Sequence, residues 1–251
     1  MRAILAAREF AFARHAYDLG IPSPKPIERQ QLDATEAILY EFRAGSNLDA
    51  HTFPRPWRCC KATYQMAELH AAIHAVESEL FIRNLPESYR QRTFFRILIG
   101  YSERLPEPLK QHCLATLDEL DDGSSFCFGD MSPRNLMIHK GECFAIDWSL
   151  ATIGEPAGDV AFTCVGIHDL SQLGDLSSVI KAILRQGSRW YLKRYRDRSP
   201  EGAGFVLRRW LAPAAAARLG ALEKVGEPDS ILEPLASLVE VYCNQQSALG
   251  G

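Results

Sequence analysis

Residues 126–148 decide the reading. They run Phe126-Cys127-Phe128, then Gly-Asp-Met-Ser-Pro-Arg-Asn over 129–135, then Leu136-Met137-Ile138, a turn at Lys140-Gly141-Glu142, and Cys143-Phe144-Ala145-Ile146-Asp147-Trp148. The three apolar runs are too short for helices and fit strands separated by polar turns. Asp130, Asn135 and Asp147 each abut one of these runs, so a buried backbone can fix the polar groups that project from its ends. Two carboxylates and an amide form a hard, oxygen-only set that suits Mg²⁺ and excludes a thiolate zinc site. Singly, Asp130 and Asn135 read as turn residues and Asp147 as a helix cap. Their order, with an apolar strand and a tight turn between, argues for a shared site.

Outward from this insert, the chain changes character on both sides. Residues 1–19 carry Leu5, Phe12, Ala16 and Leu19 at helical spacing, with Gly20 as a stop. Three prolines at 22, 24 and 26 forbid helix there. The runs 27–32 and 37–42 predict a hairpin across a polar turn at 33–36, and residues 45–49 a linker. Helices are expected over 64–80, with Met66, Leu69, Ile73, Val76 and Leu80 on one stripe, and over 90–101 and 110–120. After Asp159 the pattern is helical to the end, over 159–168, 176–196, 203–220 and 231–247, with Trp190, Tyr191, Tyr195, Trp210 and Tyr242 as core aromatics.

Composition narrows the classes. The chain of 251 residues is 47% hydrophobic and 24% charged, enough to bury a core and unlike a disordered chain. No apolar run approaches the ~18–20 residues of a membrane span, and Arg8 and Glu9 arrive too early for a secretory signal. A net charge of −3 gives no basic field for nucleic acid. The expectation is therefore no membrane and no nucleic-acid partner. The seven cysteines show neither Cys-x-x-Cys spacing nor a paired framework, which suits reduced thiols in a cytoplasm. His70 and His74 stand at i, i+4 but lack the adjacent glutamate of a zinc protease, and His70 is expected to pack beneath the loop at 129–135. Arg185, Arg189, Lys193, Arg194, Arg196 and Arg198 read as a solvated helix face, Cys127 as a packed hydrophobe, and Ser132 as a turn hydroxyl.

Residues 128–135 (FGDMSPRN), 146–148 (IDW) and 154–161 (GEPAGDVA), with weaker support from 39–45 (LYEFRAG) and Leu69-His70, resemble the aminoglycoside phosphotransferase and choline kinase group. The resemblance implies an α+β, protein-kinase-like fold: a partial N-terminal lobe and hinge over 1–45 and a large, mostly helical lobe over 46–251. It implies a cleft for Mg²⁺ and ATP, with a hydroxyl of a small polar metabolite or aminoglycoside-like acceptor receiving the phosphoryl group. Asp130 would be the catalytic base, Asn135 and Asp147 the metal ligands, and Tyr40, Glu41, Phe42 and Arg43 the hinge facing the adenine. Asp159 would brace the catalytic loop, and Glu9 would match the helix glutamate that pairs with a strand lysine. Acceptor specificity would lie in the last helices, where Glu201, Glu223, Glu227 and Asp229 are the available acids, facing either a cationic substrate or solvent.

Two positions depart from the family pattern. Phe128 stands where histidine usually precedes the catalytic Asp, in a largely structural role. No lysine and no glycine-rich phosphate loop stand ahead of Glu9. Losing one phosphate-clamping charge is worth about 3–4 kcal/mol of barrier, enough to impair turnover without abolishing nucleotide binding. The alternatives are then a start site assigned too far downstream, a truncated, catalytically impaired nucleotide-binding module, or a partner or second copy of the chain covering the incomplete N-terminal lobe.

Overall fold

A computed structural model describes residues 2–32, 35–52, 58–77, 79–83, 85–172, 178–199 and 207–247. The first helix, α1 (Arg2–Asp18), ends where Gly20 takes φ 77°, so that the Gly20 and Ile21 N–H groups donate to Tyr17 and Ala16 carbonyls. The prolines then run extended into β1 (Pro26–Leu32), which pairs antiparallel with β2 (Thr35–Tyr40). The expected turn at 33–36 is shorter, because Thr35 and Glu36 already pair with Leu32 and Gln31; Asp33 and Ala34 lie outside the described residues. The second strand stops at Tyr40 rather than Phe42. Phe42 is 91% exposed, and no ladder partner holds it.

The expected linker contains structure. Ser46 and Asn47 form β3, antiparallel to β5 (Leu136–His139), and α2 (Leu48–Thr52) follows. Strand β5 turns back into β6 (Glu142–Ala145) through Lys140 and Gly141, both at positive φ, the backbone a tight hairpin needs. The first apolar run, β4 (Ser125–Cys127), pairs instead with β7 (Thr152–Gly154), a strand too short to show as a pattern.

Among the described residues, eight more helices build the larger lobe: α3 (Cys59–His74), α4 (Glu79–Ile82), α5 (Gln91–Tyr101), α6 (Glu107–Glu119), α7 (Pro156–Gln172), α8 (Ser178–Arg198), α9 (Leu207–Val225) and α10 (Asp229–Ser247). The 64–80 stripe is split. Helix α3 ends at His74, and Val76 closes a tighter turn onto the Ile73 carbonyl, so its periodic match does not mark a continuing helix. Helix α6 begins earlier than expected because Pro108 is tolerated in a first turn. At the centre, α9 buries Ala212 and Ala214–Ala217 against α5, α7 and α10. Gly220 brings it so close to α5 that an added Cβ would sit 1.8 Å from the Leu98 carbonyl oxygen. Phe12 of α1 joins this core through Phe81 and Phe126, at 5.5 and 5.4 Å between ring centroids. The smaller lobe is thereby keyed to the larger one beside the segment 126–148.

Candidate active site

Buried strand β4 delivers Phe128 and Gly129 into the loop. Gly129 holds φ 90°, and a Cβ there would meet the Leu150 carbonyl oxygen at 2.0 Å, so glycine alone fits. The next residues fold tightly. Ser132 N–H donates to the Asp130 carbonyl (2.8 Å), and Asn135 N–H donates to the Ser132 carbonyl (3.1 Å) at the end of a 3₁₀ turn over Pro133–Asn135. Ile146 N–H donates to the Asn135 carbonyl (2.9 Å), which ties the end of β6 to this turn. Asp147 follows in the left-handed region, φ 62°, and its Oδ1 accepts the Ser149 N–H (3.1 Å). Trp148 anchors that bend by meeting the Phe128 ring edge-on at 4.8 Å.

Two of the three sequence-predicted polar residues touch, and the third, Asp147, lines a separate cavity while its charge still acts on Asp130. Asn135 Nδ2 donates to Asp130 Oδ2 (2.9 Å) and to the Asp130 carbonyl (3.1 Å). Burial pushes the Asp130 carboxyl up from the usual carboxylate range; the Arg218 guanidinium opposes this, and the neighbouring Asp147 charge adds to it. Glu9 is also pushed up, by burial first and by Asp147 second, while a hydrogen bond from the Tyr40 hydroxyl (3.1 Å) relieves it. Asp130 and Glu9 thus each feel the charge of Asp147.

The four residues expected at the hinge share one cavity. Tyr40, Glu41, Phe42 and Arg43 line a mainly apolar cavity of about 320 Å³ with Ile146, Asp147 and Trp148. Glu41 N–H donates to the Lys25 carbonyl (2.8 Å), and the Arg43 guanidinium lies 4.2 Å over the Phe144 ring. A second cavity, about 210 Å³, opens on the other side of the loop, lined by Asp130, Ser132, Arg134, Asn135, Arg218 and Glu227 among others. Of the four acids in the last helices, Glu223 is structural, accepting the Glu103 N–H (2.7 Å) and the Ser102 hydroxyl (3.1 Å), and Asp229 pairs with Arg104. Glu227 alone of the four lines that second cavity among the described residues; Glu201 lies outside them.

Asp159 braces the loop from α7. Its carboxylate accepts the backbone N–H of Phe128 (2.5 Å) and of Gly129 (2.9 Å), and Nε2 of His70 (2.9 Å) and of His74 (3.1 Å). The opposite ring nitrogens accept from the Tyr191 and Tyr195 hydroxyls, each at 2.6 Å. Burial opposes ionisation of Asp159, but the imidazoles and their hydrogen bonds outweigh it and hold the carboxyl well below its usual range. Burial, then His70, lowers His74 to about 4. All four ring nitrogens are spent on protein partners, so the His70–His74 pair is a scaffold for the loop. Sequence reasoning placed His70 there; it missed His74, and it read Tyr191 and Tyr195 as packing only.

Two arginines carried no signal in the sequence. Arg8, 3% exposed, donates from Nε (2.9 Å) and Nη2 (2.6 Å) to the Ala151 carbonyl and from Nη1 to Ser88 (3.1 Å), pinning α1 to the segment after Asp147. Arg218 donates from Nη1 to Asp130 Oδ1 (3.3 Å). The basic run on α8 is partly paired, since Arg194 and Arg198 both reach Glu68.

A small sheet lobe with a helical lobe, and a loop-borne Asp and Asn in contact, is the architecture of protein-kinase-like phosphotransferases. Residues 2–197 match the model of the phosphotransferase enzyme family, and the chain belongs to that family. The aminoglycoside phosphotransferase APH(4)-Ia, solved as a ternary complex of a thermostable mutant with ADP and hygromycin B, superposes with a TM-score of 0.70 at 15% identity, covering 96% of this chain and 84% of that one. Choline kinase LicA from Streptococcus pneumoniae gives 0.59 at 16% identity, covering 92% and 77%. Among curated proteins, acyl-CoA dehydrogenase family member 11 from Pongo abelii is 26% identical over 178 residues, 61% of this chain. The match takes in only 22% of that much longer relative.

Proposed function

We propose that this phosphotransferase moves the γ-phosphoryl group of ATP to a hydroxyl of a small polar acceptor, with Mg²⁺. One observation carries the reading: Asp130 and Asn135, which touch, line one cavity, while Asp147, whose charge Asp130 feels, lines the other beside the hinge. The donor set fits the metal. The oxygens of Asn135 and Asp147 are hard ligands, and Asn135 Nδ2 is already spent on Asp130, which leaves Oδ1 for a cation. The crowded charges of Asp130, Asp147 and Glu9 are what a divalent ion would offset. When bound, Mg²⁺ supplies charge neutralisation on the phosphates.

The chain's own residues do the rest. Residues 40–43 and Trp148 enclose the base. Asp130 accepts the proton of the acceptor hydroxyl as its oxygen attacks the γ-phosphorus, the bond from that phosphorus to the β–γ bridging oxygen breaks and ADP leaves, and Asn135 keeps the carboxylate aimed. Positioning and electrostatics provide most of the acceleration in this chemistry. The structural relatives are an aminoglycoside phosphotransferase and a choline kinase, and a polar hydroxyl compound of that general kind suits a cavity edged by Asp130, Ser132 and Glu227.

One observation favours a slower variant of the same reading, a nucleotide-binding module with impaired turnover. The hydrogen bond Glu9 receives among the described residues comes from Tyr40, where the family pattern would offer a lysine. Mg²⁺-dependent formation of ADP from ATP, measured with and without a panel of amino sugars and amino alcohols, tests both. Asp130→Asn should lower the rate by about 10²–10⁴-fold. Equal rates for the variant and the parent would remove Asp130 from the mechanism.

A further inference from the structure

Arg218 stands at residue 218 on α9, beyond the stretch 2–197 that matches the family model, so the family motif does not account for it. Its setting is specific. The guanidinium lies against Gly166 of α7, where an added Cβ would come within 3.1 Å of Cζ and 3.2 Å of both Nη atoms. It also lies 5.4 Å over the Phe162 ring, one turn earlier on the same helix. A bare glycine backbone and an aromatic face thus make a slot for a flat cation. From that slot Nη1 reaches Asp130 Oδ1 at 3.3 Å, while Asn135 holds Oδ2 at 2.9 Å. The two donors grip opposite oxygens of one carboxylate, and the side chain, 13% exposed, forms part of the wall of the second cavity.

Resting on the reading of Asp130 as the base, we infer that Arg218 is a positioning residue, which sets the orientation of the Asp130 carboxylate from outside the catalytic loop. Helix α7 then governs the base twice. Asp159 clamps the backbone just ahead of Asp130, and Phe162 with Gly166 seats the arginine that reaches its side chain. The slot selects a planar group, so charge alone does not suffice. A lysine ammonium has neither the flat face nor the fixed fork of donors that the seat requires.

The test has a structural arm and a kinetic arm. Crystal structures of the parent, Arg218→Met and Gly166→Ala chains report the Asp130 side chain directly. Both variants should turn the carboxylate away from Asn135, and an unchanged Asp130 in both would overturn the inference. Gly166→Ala leaves every charge in place, so it remains informative if Arg218→Met folds poorly. In the kinetic arm, Mg·ATP turnover by Arg218→Met and Arg218→Lys should fall by about a hundredfold in kcat, with the KM for ATP unchanged. Added guanidinium ion should restore part of the rate to Arg218→Ala and none to Asp130→Asn. Turnover at the parent rate in Arg218→Met, with Asp130→Asn inactive, would sink the role of Arg218 and leave the phosphotransferase reading intact. Equal turnover by Asp130→Asn and the parent would sink that reading instead, and the crystal structures alone then decide whether Arg218 orients Asp130.

Discussion

Asp159 and Glu9 are carboxylates on the two helices that flank the catalytic segment, and their surroundings are opposite. Asp159 on α7 is saturated by two backbone N–H groups and two imidazoles, and it stays ionised deep in the core. Glu9 on α1 receives a hydrogen bond from Tyr40, sits near another carboxylate, and is pushed towards its neutral form. The first is a finished piece of scaffold, stable without any ligand. On the proposed function, the second belongs to a site whose crowded negative charge a cation would offset. The loop at 129–135 is therefore braced through Asp159, while the Glu9 side keeps crowded negative charge, which suits the metal–nucleotide cleft proposed above.

The largest effect should come from breaking the scaffold. Asp159→Ala strands two backbone donors and two buried imidazoles, and should lower unfolding stability by about 3–5 kcal/mol, read from chemical denaturation. A loss below about 1 kcal/mol would mean that the network is incidental. Next comes acid. His74 is held at about 4 by burial, below the value near 6.5 it takes when unfolded. The unfolded chain therefore binds the extra proton first as pH falls. Stability is full above about pH 6.5 and should drop by roughly 2–3 kcal/mol towards pH 4. Asp159, also depressed, adds a further loss below the ordinary carboxylate range. In His74→Gln the slope between pH 6.5 and 4 should flatten; an unaltered slope would place the titrating group elsewhere. The smallest effect lies on the other helix. Glu9→Gln removes one of the crowded charges and should leave the ligand-free protein as stable as the parent or more so, by about 0.5 kcal/mol. A marked loss would show Glu9 to be scaffold like Asp159.

Much of this contrast is legible in the sequence, for identifiable reasons. Asp130, Asn135 and Asp147 abut apolar runs that must be buried, so their backbone positions are fixed by local pattern. The proline segment and Gly20 mark the end of α1 for the same reason. What stays hidden depends on packing between distant helices. Nothing near Arg218 hints that an alanine-rich helix would cross α7 at Gly166 and send a guanidinium to Asp130. Arg8 lies beside Glu9 on α1, yet only the fold brings the Ala151 carbonyl to it. Strands β3 and β7 are two and three residues long, and they exist because a partner strand lies alongside. The stripe at 64–80 misled because Val76 faces the core from a turn.

The central claim is that Asn135 and Asp147 close a cation site beside the hinge, and thermal unfolding with and without Mg·ATP tests it most directly. Binding to the folded state alone raises the melting temperature with ligand concentration. The parent chain should show a rise with millimolar Mg·ATP, smaller with ATP in excess chelator, and none in Asp147→Ala. A melting temperature that nucleotide leaves unmoved, or that moves equally in Asp147→Ala, would contradict the account.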